Sequence, residues 1–112
     1  MSFISETSLV IDIGKTNIKI HVLDKFKKNL VSFNKKNKIF KKTPYHKVDV
    51  EDIWSWMIKI IKSAANKFQI SSIVVSTHGA TAALVSQSND DGGLVLPIMD
   101  YEWNGLKSIN EK

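Results

Sequence analysis

Cysteine is absent from the 112 residues, which excludes disulfides, thiolate metal sites and cysteine nucleophiles. Arginine is absent too, so all sixteen basic residues are lysine. That weakens a reading as a base-reading nucleic-acid binder, because bidentate contacts to guanine favour a guanidinium. No apolar run approaches the ~18 residues that cross a membrane. The start, "MSFISETSLV", has neither a basic n-region nor a long apolar stretch, so no secretory signal is expected and a cytoplasmic home is the simplest one. Two prolines and five glycines form no linker, and no segment repeats. The length allows one domain at most. With 43% hydrophobic and 24% charged residues, the composition is ordinary for a globular protein and wholesale disorder is not expected.

What is abundant is lysine. Nine of the sixteen lie between Lys25 and Lys47, a segment without a single Asp or Glu, and the net charge is +5. One reading is a patch for nucleic acid or anionic lipid. The other, which we favour, is a solvated face of a lysine-rich sequence. The aromatic residues there (Phe26, Phe33, Phe40 and Tyr45) suit strands packed on a core as well as they suit stacking platforms.

The apolar pattern alternates strands with one strong helix. "SLVIDIG" (8–14) is a mostly apolar run, as expected of a strand covered on both faces. "NIKIHVLD" (17–24) puts Ile18, Ile20 and Val22 on one face and Lys19 and His21 on the other, so the two segments predict an antiparallel hairpin. "LVSF" (30–33) predicts a third strand, followed by a polar loop to Pro44. In "DVEDIWSWMIKIIKSAANKF", Asp49 suits an N-cap and Glu51 and Asp52 suit the positive first turn. Val50, Ile53, Met57, Ile60, Ala64 and Phe68 form the core stripe of that helix, and Trp54 and Trp56 read as packing residues. Ile73, Val74 and Val75 read as a short buried run of the parallel-sheet type. A helix leading into such a strand makes a crossover, and ligands gather beyond the strand's carboxyl end, here Ser76-Thr77-His78-Gly79. "AALVSQSNDDGGLVLPIMD" predicts a last hairpin turning at residues 89–93, a cluster without the spacing of a calcium loop.

Gly14-Lys15-Thr16 look like the end of a nucleotide-binding P-loop. That motif needs a glycine five residues upstream and a helix downstream. Position 9 is Leu and the following residues alternate as a strand, so the P-loop reading fails.

The order strand, tight Gly/Thr/Asn turn, two more strands, helix and apolar strand resembles the start of a ribonuclease H-like, actin-like ATPase domain. "LVIDIGKTNIKIHVLD" resembles the phosphate-binding first hairpin of that superfamily. "ISSIVVSTHGATAALVSQSNDDGGLVLPIMDYEW" resembles the sugar-contacting segment of the FGGY-family carbohydrate kinases, where a motif ending in His-Gly follows a strand. Within the family it is most similar to the branch acting on deoxy-sugar ketoses such as fuculose or rhamnulose. The resemblance covers roughly residues 8–105. It implies an α/β fold with a mixed sheet and a crossover helix, residues 1–112 being the N-terminal part of the first domain.

The implied function is ATP-dependent sugar phosphorylation. Phosphoryl transfer needs positioning and charge neutralisation more than covalent help. A tight hairpin of Gly14, Lys15, Thr16 and Asn17 can turn backbone N–H groups towards phosphates. Thr16 and Asn17 add side-chain hydrogen bonds, and Lys15 or Lys19 a positive charge. Lys15 departs from the Thr usual in the family and is either a phosphate contact or a surface residue. Asp12 suits Mg²⁺, which takes one or two carboxylates; the alternative is a carboxylate capping its own hairpin. His78 is either a structural residue or, as favoured here, a sugar-hydroxyl contact, with Thr77 adding a hydroxyl and Gly79 a close backbone approach. Asp100 and Glu102 fall where the family places polar sugar ligands, although "IMDYEWNG" departs from its usual Trp-x-Asp form. His21 and His46 read as surface residues.

The resemblance also puts the catalytic base and the adenosine-binding half beyond these residues. The 112-residue chain alone is therefore expected to be inactive, to self-associate or to pair with a separately encoded remainder. Its partner would be a ketose or deoxy-sugar, with no membrane. The alternative from another class is a non-enzymatic module whose lysine strip (25–47) binds nucleic acid or a protein.

Overall fold

The computed structural model describes residues 4–41, 44–79, 81–86, 94 and 96–105. The described chain forms two compact units: Met1–Asn37 with Glu51–His78, and Lys38–Val50 with Gly79–Lys112.

The first unit holds a four-stranded mixed sheet and one helix. Strands β1 (Ile4–Ile13), β2 (Asn17–Leu23) and β3 (Asn29–Lys36) form an antiparallel meander. Two two-residue strands, β4 (Ile39–Phe40) and β5 (Lys47–Val48), pair in the second unit, and β4 lies where the sequence suggested a polar loop. Helix α1 (Val50–Lys67) then leads into β6 (Phe68–Thr77), which lies parallel to β1, so the sheet order is β3-β2-β1-β6.

Register decides which residues meet. Leu9 stands opposite Val22, Ile11 opposite Ile20 and Ile13 opposite Ile18. These directly opposed apolar pairs build one face of the sheet. Val31 and Phe33 extend it across β3, opposite Val22 and Ile20. Leu9, Ile11, Ile18, Ile20, Val22 and Ala64 of the helix are buried, with Ile53, Trp56, Met57, Ile60, Ile61 and Phe68 packed around them. Ile53, Met57, Ile60 and Ala64 therefore form the stripe that the 3.6-residue period indicated, whereas Phe68 opens β6 instead of closing the helix, and Val50 is not among the residues packed on this core. Trp56 packs and Trp54 does not, being 60% exposed. At the end of this face Lys35 is opposite Ile18, and its Nζ lies 2.7 Å from Asp52 Oδ2 in the first helical turn.

The apolar run of β6 departs from expectation. It forms the strand, but Ile73, Val74 and Val75 are 53%, 52% and 57% exposed. Helix α1 covers the meander, and Phe68 and Ile70 at the start of β6 pack on the same core, but residues 71–77 of β6 are exposed. Its neighbour β1 carries a bulge near Glu6, which has φ 61°, and the buried Thr7 hydroxyl donates to Gln69 O at 2.6 Å there.

In the second unit, Lys47 bridges Met99, and Val85 bridges Leu94 in antiparallel fashion. The second bridge fits the predicted hairpin, whose turn at 89–93 lies outside the described residues. Tyr45 Oη donates to Pro97 O at 2.9 Å, and Trp103 packs near the Tyr45 and His46 rings at 6.1 and 6.4 Å.

Candidate functional site

Because β1 and β6 run parallel and in register, their carboxyl ends lie side by side. Ile13 pairs with Thr77 and Asp12 with Ser76. The turn after β1 and His78 after β6 thus leave the same end of the sheet, where ligands collect in open α/β sheets. This brings together Asp12, Gly14, Lys15, Thr16, Asn17 and Lys19 with Thr77 and His78.

The hairpin closes tightly. Gly14 N–H donates to Asn17 O at 2.9 Å. A side chain at position 14 would put its Cβ 3.0 Å from that oxygen, so glycine is what allows the strands to approach. Asn17 Oδ1 accepts from Asn34 Nδ2 at 3.3 Å, which ties this residue to β3. Thr16 is exposed at the tip, and Lys15 is half-buried.

Asp12 is exposed, opposite Lys19 on β2 and Ser76 on β6. Strand neighbours in register share a face, so these three lie on the face away from α1. Asp12 makes no hydrogen bond to its own hairpin. The carboxylate that does cap a turn is Asp24, which accepts from Phe26 N–H and Lys28 N–H, both at 2.9 Å. A lone carboxylate fits Mg²⁺, which keeps most of its waters and takes the rest of its shell from phosphate. No group of three potential metal ligands occurs among the described residues, so an all-protein metal cage is not built here.

Two residues enter this region without having been assigned a role from the sequence. Ser76, read there only as part of the strand's carboxyl end, stands beside Asp12, whereas the nominated Thr77 pairs with Ile13 on the helix face. Thr77 Oγ1 donates to His78 O at 3.4 Å. Asn37, just after β3, reaches the hairpin loop: its Nδ2 donates to Gly14 O at 2.8 Å and Lys15 O at 3.1 Å, and its N–H to Thr16 O at 2.8 Å. In the sequence Asn37 is one more polar residue of a lysine- and asparagine-rich run, so only the strand pattern of β2 and β3 could have hinted at it.

The other nominated residues belong to the second unit. Gly79 has open space around its Cα, so no protein atom there requires a glycine. Asp100 is only 6% exposed. Its Oδ1 accepts from Glu102 N–H at 3.2 Å, its N–H donates to His46 O at 2.7 Å and its carbonyl accepts from Trp103 N–H at 2.9 Å. Asp100 thus organises the turn that presents the exposed Glu102. His46 packs near Trp103, and His21 Nδ1 lies 2.7 Å from Ser32 Oγ, so both are half-buried and engaged where surface positions were expected. The lysines between 25 and 47 divide between the two units, and Lys35 is committed to Asp52.

Comparison with known proteins decides the family. The profile described as the FGGY family of carbohydrate kinases, N-terminal domain, matches residues 7–96. The chain belongs to the FGGY family. Among solved structures, this FGGY chain is similar to a carbohydrate kinase from Novosphingobium aromaticivorans, with 25% identity and a TM-score of 0.77 over 96% of this chain and 22% of that one. It is also similar to a ligand-bound xylulose kinase from Lactobacillus acidophilus, with 21% identity and a TM-score of 0.74, covering 95% and 22% of the two chains. A gluconate kinase from the same organism has 21% identity and a TM-score of 0.71, again covering 95% and 22%. No curated protein matches the sequence. The fold is thus that of the actin-like N-terminal domain of carbohydrate kinases, and the FGGY chain spans about a fifth of the length of these relatives.

Proposed function

We propose that the protein carrying this chain phosphorylates a sugar hydroxyl with ATP. The observation that carries the reading is the in-register pairing of β1 with β6, which sets a glycine hairpin and an exposed carboxylate beside a strand that ends at Thr77 and is followed by His78. In this reading the Gly14–Asn17 turn and Lys19 bind the ATP phosphates, and Lys15 either joins them or stays at the surface. Asp12 would hold Mg²⁺, which when bound neutralises charge on the phosphoryl group in transfer. His78, Thr77 and Gly79 orient the sugar, and Glu102 is better exposed for a substrate contact than the buried Asp100. The sugar class, a ketose or deoxy-sugar ketose of the fuculose or rhamnulose type, rests on the resemblance of residues 70–103.

The test is ADP release by the full-length protein with Mg²⁺ and ATP, across fuculose, rhamnulose, xylulose, gluconate and glycerol. Stimulation by one of these, with a phosphorylated product by mass spectrometry, is the expected result. ATP turnover that no sugar accelerates, together with salt-sensitive binding of mixed RNA or DNA, would favour the lysine-strip alternative instead.

A further inference from the structure

We infer that Asn37 is a positioning residue for phosphate binding, acting through the hairpin loop; the inference rests on the kinase reading above. Its three hydrogen bonds go to three successive carbonyls, those of Gly14, Lys15 and Thr16. A trans peptide is planar, with its N–H directed opposite to its C=O. Drawing the Gly14 and Lys15 carbonyls towards Asn37 therefore turns the N–H groups of Lys15 and Thr16 to the other side of the loop. Successive backbone N–H groups directed to one side are what an anion-binding concavity is made of. Within the loop, the closing bond from Gly14 N–H to Asn17 O leaves the Gly14, Lys15 and Thr16 carbonyls to Asn37. The polarity of the loop is set from outside, by the end of β3.

The chemistry of the side chain is specific. The short amide places two N–H donors, without a charge, on two adjacent carbonyls, and those carbonyls decide which end of the amide is nitrogen. The arrangement leaves Asn37 Oδ1 buried with no hydrogen-bond partner among the described residues. An orphaned acceptor of that kind costs stability. An aspartate would fill the same volume but would set carboxylate oxygens against both loop carbonyls. Asn37 is also the last residue of the first unit before the chain passes into the second at Lys38, so the clamp sits where the chain leaves the sheet.

The test uses the full-length protein and its Asn37→Asp and Asn37→Ala variants. Mg²⁺-ATP and sugar affinities would be measured by calorimetry, and the loop by hydrogen–deuterium exchange of the peptide spanning residues 9–18. Both variants should weaken Mg²⁺-ATP roughly tenfold, the loss expected for about two hydrogen bonds. The sugar Kd should stay unchanged and exchange in the loop peptide should rise, with Asp at least as damaging as Ala despite its matching shape. If Asp interferes with folding, Ala, which brings no charge against the carbonyls, carries the test. ATP affinity and loop exchange both at wild-type values in the folded variants would overturn the clamp and leave the kinase reading standing. A wild-type protein that binds no Mg²⁺-ATP would overturn both.

Discussion

At the scale of single residues, the proposed site divides into a phosphate half and a sugar half, and the two halves answer to different measurements. Asp12 lies between Lys19 and Ser76, with no turn to cap. Charge removed there acts most strongly on the transition state. In the full-length protein, under the kinase reading, Asp12→Asn is expected to lower kcat and kcat/KM together while leaving sugar affinity intact. His78, at the end of β6, is assigned to a sugar hydroxyl. Loss of one hydrogen bond of about 0.5–1.5 kcal/mol predicts a two- to tenfold rise in sugar KM for His78→Ala, with the KM for ATP unchanged. Steady-state kinetics with each substrate varied in turn check both. A reversed pattern would exchange the assignments, and two silent variants would make both residues structural.

At the scale of elements, β2 and α1 hold the unit together through one apolar layer. Ile20 is fully buried, opposite both Ile11 and Phe33. Ile20→Ala removes packing on three strands at once and is expected to cost about 2–5 kcal/mol, read as a lowered urea midpoint. The two tryptophans of α1 separate in the same assay. Trp54 projects into solvent, so Trp54→Ala should stay within about 0.5 kcal/mol, whereas Trp56→Ala opens a gap against the core and should exceed about 1 kcal/mol. Equal effects would mean that the helix packs on a different face.

At the scale of the whole molecule, β6 is an edge strand among the described residues, with apolar residues exposed along it, and Leu84, Val85 and Leu96 of the second unit are exposed as well. Uncovered strand edges and apolar surface drive association. The isolated 112-residue chain is accordingly expected to self-associate or to melt without a sharp transition. A concentration-independent, cooperative transition from a monomer in sedimentation and calorimetry would contradict this. The chain spans about a fifth of its solved relatives, and the kinase reading puts the general base outside it. Loss of such a base removes about two to four orders of magnitude in rate. Purified 1–112 should therefore release no ADP in response to fuculose, rhamnulose or xylulose, and any such response would overturn the placement of the base.

The sequence by itself determined the local elements, because their signals are local. The alternation of Ile18, Ile20 and Val22 specified β2 and its buried face, and the stripe from Ile53 to Ala64 specified α1. The glycine hairpin and the strand that ends at Thr77 before His78 were also legible, since each is a contiguous run of residues. Tertiary structure alone decided what lies beside what. The run Ile73-Val74-Val75 records apolarity, but burial depends on a neighbour lying over it, and none among the described residues does. Whether Ser76 or Thr77 shares a face with Asp12 is a question of register, and a shift of one residue between parallel strands exchanges them. The reach of Asn37 to three carbonyls more than twenty positions earlier follows from β2 and β3 pairing back on β1, a non-local contact that no periodicity within the Lys35–Lys38 run could express.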